Sequence, residues 1–418
     1  MRVLLITRHM PARSVVPVDR GGGGDTFIEA LLRLPELRRD LHIDVVGLHP
    51  DGEPIVPPPN VDITYVRSER LHRWLWVHRE GKNVVAALFL LVYTAALLVR
   101  TALRRSGGQR YDLVYAVGGP IAGLAGIAVK RVRGIPLAMH FQYTYHFRDA
   151  KLPVRFLARA FYAQTDALIG NCPMLGQDAV ALGIPAARTH WVYNWIDHDV
   201  FRPLEPREAY RARYGVAPTQ TAFYFGGRFD YTKHVDRVID ALRGLDEPRA
   251  VFFFAGDGVL APQLRELAAA NPNVRVLGTV SRAELPALHA ACDAQLWGSV
   301  DVDYPGLVIM EAMSSGLYVL TSNRTMNPLY RDAPVDPSFL DVPRFATLYD
   351  PTREGIRRAI ADGIARRDEL NAKREAVAAF ARESFGLPNA LRLIEILASL
   401  PRASRRSVAA GRADRAAS

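Results

Sequence analysis

The sequence predicts an α/β protein built from two doubly wound, Rossmann-like domains that face each other across a cleft. Two observations carry this expectation. Short, β-rich apolar runs alternate with helix-length segments from one end to the other, the pattern of parallel sheets covered by helices. The series breaks once, in the polar stretch Ile196–Arg207 with its two prolines, and a fresh βαβ series starts at Thr221. A length of 418 residues suits two or three domains at roughly 100–200 residues each.

In the first domain, residues 1–200, the expected strands are Arg2–Thr7, Ile43–Leu48, Asp112–Ala116, Leu137–Phe141, Ala167–Asn171 and Thr189–Tyr193. In the second, residues 201–385, they are Ala222–Phe225, Val251–Ala255, Val274–Leu277, Ala294–Trp297 and Tyr318–Thr321. Helices are expected between them, among them Leu152–Gln164, Val235–Arg243, Ala283–Ala291 and Leu307–Ser315. A C-terminal helix occupies 386–400 and stops at Pro401. The Arg-, Ala- and Ser-rich residues 401–418 lack periodicity and read as a disordered basic tail.

Composition narrows the class. Hydrophobic residues at 49% and charged residues at 23% exclude a disordered, collagenous or low-complexity chain. Cys172 and Cys292 are too few for a disulfide framework or a Cys-based zinc site, so a reduced, cytoplasmic protein is expected. The opening run Val3-Leu4-Leu5-Ile6 meets Arg8 and His9 too soon for a signal peptide. The net charge of +10 is local: residues 67–105 carry +6, the tail 401–418 carries +4, and the remainder is balanced. No recognised nucleic-acid module accompanies it, so nucleic acid is not an expected partner.

Three places invite chemistry. Gly21–Gly24, before the helix-like run FIEALLRL, leaves backbone N–H groups open at a helix start, where a phosphate or sugar can approach. The same glycines also serve as a plain flexible turn. In YFGGRFDYTKHVDRVIDAL (224–242), a strand ends at Phe225, Gly226-Gly227 free the backbone, and Arg228 and Lys233 follow. Two cations just past a strand's carboxyl end suit a diphosphate, whereas either alone would read as a solvated loop. In DYPGLVIMEAMSSG (303–316), Asp303 lies in a loop and Glu311 in a helix otherwise made of apolar and small residues. The helix start at Gly306-Leu307 offers N–H groups and a positive dipole end to an anion. Glu311, if buried, needs a partner, and a ribose with two donating hydroxyls supplies one. The alternative is a glutamate on the helix's solvent edge.

These segments resemble the retaining nucleotide-sugar glycosyltransferases of family 4 (glycosyl transferases group 1), which have the GT-B fold. The resemblance covers roughly residues 1–400. Its most specific parts are GGRFDYTKHVDRVIDAL, the FAGDG turn at Phe254–Gly258, VRVLGTVSRAELPALHAACDA and DYPGLVIMEAMSSGLYVL. It implies that Arg228 and Lys233 hold the donor diphosphate, with Gly227 in the same loop. Glu311 would bind the ribose, Asp303 the donor sugar, and the N–H groups of Gly306 and Leu307 the phosphate or sugar. Thr279 and Val280 would contact the base, and Gly22, Gly23 and Gly24 would close over the donor from the other domain.

His140, ending PLAMH, best matches the family's sugar-facing histidine; His146 is its rival, His9 a weaker one, and Asn194 matches a common strand-end asparagine. The resemblance also implies a C-terminal helix packed back toward the first domain. The co-substrate would be UDP- or GDP-linked, with no other cofactor and no metal, because Arg228 and Lys233 stabilise the leaving diphosphate. Asp301-Val302-Asp303 has a metal-site spacing but aligns with the sugar-contacting loop. The chain departs from the family twice. Asp303 stands where a glutamate is usual, and 322–328 read SNRTMNP where a small, Gly-rich loop is common.

The expected activity is transfer of a hexose to a glycolipid, lipid-linked or polysaccharide-precursor acceptor. A sugar-nucleotide epimerase, a phosphorylase and a non-catalytic scaffold are the competing readings. Val84–Val99 is sixteen residues without a charge, about 24 Å as a helix and short of a ~30 Å hydrocarbon core. Flanked by Trp74, Trp76 and many arginines, the 67–105 segment is expected either to dock on an anionic membrane surface or to be a buried core helix.

Overall fold

The computed structural model describes residues 1–7, 10, 23–48, 54–66, 84–142, 147, 150–298, 306–324, 340–342 and 344–400, with backbone alone at 23–25 and 84–91. The described chain forms two compact units. One runs from Met1 to Tyr193 and regains the chain from Asn389; the other spans Asn194–Pro388.

The first unit is a seven-stranded parallel sheet of β1 (Arg2–Thr7), β2 (His42–Leu48), β3 (Val61–Val66), β4 (Leu113–Val117), β5 (Leu137–Phe141), β6 (Ala167–Gly170) and β7 (Thr189–Trp191). Its order is β3-β2-β1-β4-β5-β6-β7, so the winding reverses between β1 and β4. Sequences such as LLI, LVYAV and LAMHF are apolar without alternation because helices cover both faces. One face carries the helices Val84–Gly108, Pro120–Arg133, Leu152–Tyr162 and Pro173–Ala181. Their Leu98, Ala125, Tyr162 and Leu175 join a single core cluster with β-strand residues. A helix over 387–400 also belongs to this unit, with the Arg392 guanidinium 4.9 Å over the Trp191 ring.

The second unit is a six-stranded parallel sheet of β8 (Thr221–Gly226), β9 (Ala250–Ala255), β10 (Val274–Gly278), β11 (Ala294–Trp297), β12 (Tyr318–Ser322) and β13 (Ala346–Tyr349). Its order, β10-β9-β8-β11-β12-β13, reverses between β8 and β11. The aromatic runs TAFYFG and AVFFFA are wholly buried, and Phe223 stacks on Phe252 at 5.3 Å.

Two strands, β3 and β13, were not expected. The apolar helix runs to Gly108 rather than Val99. Arg100 points outward while Ala102 is buried and Arg105 bonds Asp44 at 3.0 Å, so the amphipathic pattern continues past the first charge. Among the described residues no helix is long and apolar enough to cross a membrane.

Candidate active site

In a doubly wound sheet, ligands bind beyond the carboxyl ends of the strands where the winding reverses. In the second unit that point lies between the ends of β8 and β11, at Gly226-Gly227 and Trp297-Gly298. The loop after β8 is laced to its neighbour: the Gly227 N–H donates to the Ala255 carbonyl at 2.8 Å and the Phe229 N–H to that of Asp257 at 2.8 Å. A side chain at Gly256, where φ is 152°, would run into the Gly227 carbonyl, which explains the glycine of the FAGDG turn.

The loop then makes a 3-10 turn, Tyr231–Lys233, that ends in His234 with a left-handed φ of 54°. His234 is buried and its Nδ1 lies 2.6 Å from the Gly298 carbonyl. That bond fixes Lys233 beside Trp297, with the ammonium 5.6 Å from the ring centroid. Only a glycine fits at 298, because a Cβ there would strike the Lys233 carbonyl. Lys233 has no ion pair among the described residues. Arg228 does: its Nε donates to Asp230 at 2.5 Å, and the Thr232 hydroxyl donates to the other Asp230 oxygen at 2.6 Å.

The helix Leu307–Ser314 starts beside this loop, since a side chain at Gly227 would touch Trp297 and Val308. Its N-cap, Gly306, has φ 75° and offers no side-chain cap, so the first-turn N–H groups remain available to an anion. Glu311, one turn after Leu307, is buried, with the Arg282 guanidinium 3.7 Å from its Oε1. Burial pushes the Glu311 carboxyl up to about 7, and Arg282 only partly opposes it. Val280 packs with Val308 on the same small core that holds Tyr224 and Ala312, while Thr279 is exposed.

A stability test follows from that raised carboxyl. Its folded pKa exceeds its unfolded value, so the folded state holds the extra proton and stability falls as pH rises from about 4.3 to about 7. Glu311→Gln is expected to match wild type near pH 4 and to exceed it by on the order of 3–4 kcal/mol at pH 8. Thermal melts at the two pH values check this. A wild type as stable as the variant at pH 8 overturns it.

Of the sequence-predicted residues, the second unit thus gathers Gly227, Arg228, Lys233, Val280, Gly306, Leu307 and Glu311 around one switch point, with Thr279 at the margin. The first unit holds three others, His140, Gly23 and Gly24. His140 lies on β5, opposite Val117 of β4, and the Phe27 ring of the helix that Gly23 and Gly24 begin meets it edge-on at 5.0 Å. His140 is buried, its Nδ1 is 2.6 Å from the Tyr115 hydroxyl, and burial depresses its pKa to about 3. It is therefore a neutral imidazole at ordinary pH. Gly22, Asp303, His9, His146 and 325–328 lie outside the described residues, as do residues 67–83 and the tail. Sequence reasoning missed Trp297 and Arg282. The signal for the first was a tryptophan ending a strand directly before a glycine. Among the described residues no three His, Cys, Asp or Glu side chains group as a metal site.

The family described as glycosyl transferases group 1 matches residues 206–330, and the glycosyl transferase 4-like domain matches 22–195. The chain is 25% identical over 220 residues to sulfoquinovosyl transferase SQD2 of Arabidopsis thaliana, covering 50% of this chain and 42% of that protein. It is 30% identical over 206 residues to the UDP-N-acetylglucosamine–N-acetylmuramyl-(pentapeptide) pyrophosphoryl-undecaprenol N-acetylglucosamine transferase of Halorhodospira halophila, covering 46% and 52%. The chain thus spans about half the length of the curated relatives it matches. Anabaena HepE, solved with UDP, shares the fold with a TM-score of 0.68 at 20% identity, over 96% of this chain and 100% of that one. With one family domain in each half, the chain carries a glycosyl transferase 4-like domain followed by a glycosyl transferases group 1 domain and has the GT-B fold.

Proposed function

We propose that the protein is a retaining, metal-independent glycosyltransferase of family 4. It moves a hexose from a UDP- or GDP-linked donor to a glycolipid, lipid-linked or polysaccharide-precursor acceptor. The observation that carries the reading is the grouping, at one switch point, of a lysine without an ion pair among the described residues, a helix start that its glycine N-cap leaves without a side-chain cap, and a buried carboxyl. Departure of a nucleoside diphosphate builds negative charge on its outer phosphate. Lys233, Arg228 and the N–H groups after Gly306 stabilise that charge from fixed positions, which is where electrostatic catalysis is strongest. Glu311 takes the ribose hydroxyls once ionised, and Thr279-Val280 border the base. Asp303 contacts the donor sugar, and the acceptor attacks from the face the diphosphate leaves.

The names of relatives support the donor and acceptor classes. The Halorhodospira protein is named for a UDP-linked donor and an undecaprenol-linked acceptor, and HepE was solved with UDP. The test is a panel of UDP- and GDP-sugars scored by thermal stabilisation, followed by product analysis with and without acceptor. A stabilising donor, consumed to a glycosylated acceptor with its anomeric configuration kept, is the expected result. No stabilisation by any member overturns the reading, and conversion of donor alone to an isomeric sugar nucleotide replaces it with an epimerase.

A further inference from the structure

We propose that the helical layer of the first unit, centred on the helix Leu152–Tyr162, docks on an anionic lipid bilayer. This helix inverts the usual arrangement. It enters the core through Ala158 and Tyr162, yet Leu152, Phe156 and Leu157 are 77%, 72% and 67% exposed. At 100° per residue those three share the outward face with Pro153 and Ala160, so nothing polar lies on it. Lys151, Arg155 and Arg159 follow one another at four-residue intervals along its flank. None of the three has an ion pair among the described residues. An apolar ridge edged by unpaired cations is the chemistry of a helix lying in a membrane interface.

The rest of the layer extends the same surface. The helices Val84–Gly108, Pro120–Arg133 and Pro173–Ala181 contain one acidic residue between them, Asp178, and it is buried. These helices therefore present no carboxylate to an approaching anionic surface. Val132, 60% exposed, stands between Arg131 and Arg133, which bond neutral groups on Gln164, Ser106 and Leu103. Each cation near an anionic membrane adds attraction, and the large apolar side chains add burial. A second copy of the chain fits less well, because a two-fold pairing of this face sets its cations against one another.

The inference stands on this surface alone and does not depend on the donor-site reading. Flotation with phosphatidylcholine vesicles, with and without phosphatidylglycerol, tests it on the full chain. The variants are Phe156→Ser/Leu157→Ser and Arg155→Glu/Arg159→Glu, each also measured for Tm, molar mass and stabilisation by nucleotide sugars. Wild type is expected to float with the anionic vesicles and about tenfold less with phosphatidylcholine alone. Each double variant is expected to lose about tenfold or more in partitioning at unchanged Tm and unchanged nucleotide-sugar response. No flotation, or flotation that both variants retain, overturns the proposal. A wild-type dimer that Phe156→Ser/Leu157→Ser turns into a monomer overturns it too, in favour of an interface between copies.

Discussion

On the proposed role of Lys233 at the donor, Lys233→Ala is expected to lower turnover by about 10²–10³-fold while leaving Tm unchanged. Its ammonium has no ion pair among the described residues and lies 5.6 Å from the Trp297 ring centroid. Its backbone, by contrast, is held by the His234–Gly298 bond, so truncation removes a charge without loosening the loop. Arg228→Ala is expected to cost less. Part of the Arg228 charge is already offset by Asp230 at 2.5 Å, which a diphosphate must outcompete. Lys233→Arg should not restore activity, since a wider planar guanidinium replaces a compact ammonium above the same ring. Steady-state turnover with whichever nucleotide sugar stabilises the protein, beside melts of each variant, gives the order. A larger loss at Arg228 than at Lys233 would sink the assignment of the unpaired lysine as the chief stabiliser of the leaving group.

The sequence was most legible where burial is two-sided. Runs such as AFYFG and VFFFA leave no reading but a central strand, and they set the switch point on which the proposed donor site depends. The two missed strands, β3 and β13, each lie at one edge of their sheet, and half-exposed positions such as Thr64 and Thr347 interrupt their apolar runs. The charge-free run counted from Val84 stops before Arg100, but the helix itself goes on to Gly108. Asp44, 61 positions from Arg105, gives one of its later charges a partner that the sequence does not reveal.

The chemistry-bearing residues were readable as types and spacings, but their partners were not. Arg282 meets Glu311 because β11 lies between them in sequence and the fold returns. Asp230 meets Arg228 two residues away, a contact whose competition with phosphate depends on rotamers that spacing does not reveal. The exposed face of Leu152–Tyr162 was hidden for the opposite reason: its periodicity is ordinary, and only the sheet shows which side is buried.

Asp293→Ala is expected to destabilise the second unit by about 3–5 kcal/mol, the cost of removing one partner from a buried ion pair. The carboxylate is fully buried at the entry to β11. It accepts from Arg207 at 3.0 Å, Arg211 at 2.9 Å, Asn371 at 2.9 Å and the Ala222 N–H at 2.8 Å. Arg367 is a third guanidinium within 3.8 Å. Alanine would leave these cations facing one another in a water-poor space. Burial by itself would raise the Asp293 carboxyl, yet Arg211 first, then the Ala222 N–H and Arg207, bring it below the usual carboxylate range. A depressed carboxyl contributes stability that is present above its unfolded pKa, about 3.9, and is lost as pH falls through the folded value. The gap between wild type and Asp293→Ala should therefore be full at pH 7 and shrink only in strong acid. Arg367→Met, which removes one of three cations and keeps the carboxylate, should cost far less. Urea unfolding at pH 7 and in acid distinguishes the cases: equal midpoints for Asp293→Ala and Arg367→Met would mean that the carboxylate is not the keystone. Because Asp293 anchors the strand that ends in Trp297, Asp293→Ala should also weaken donor binding, whereas Lys233→Ala leaves the strand intact.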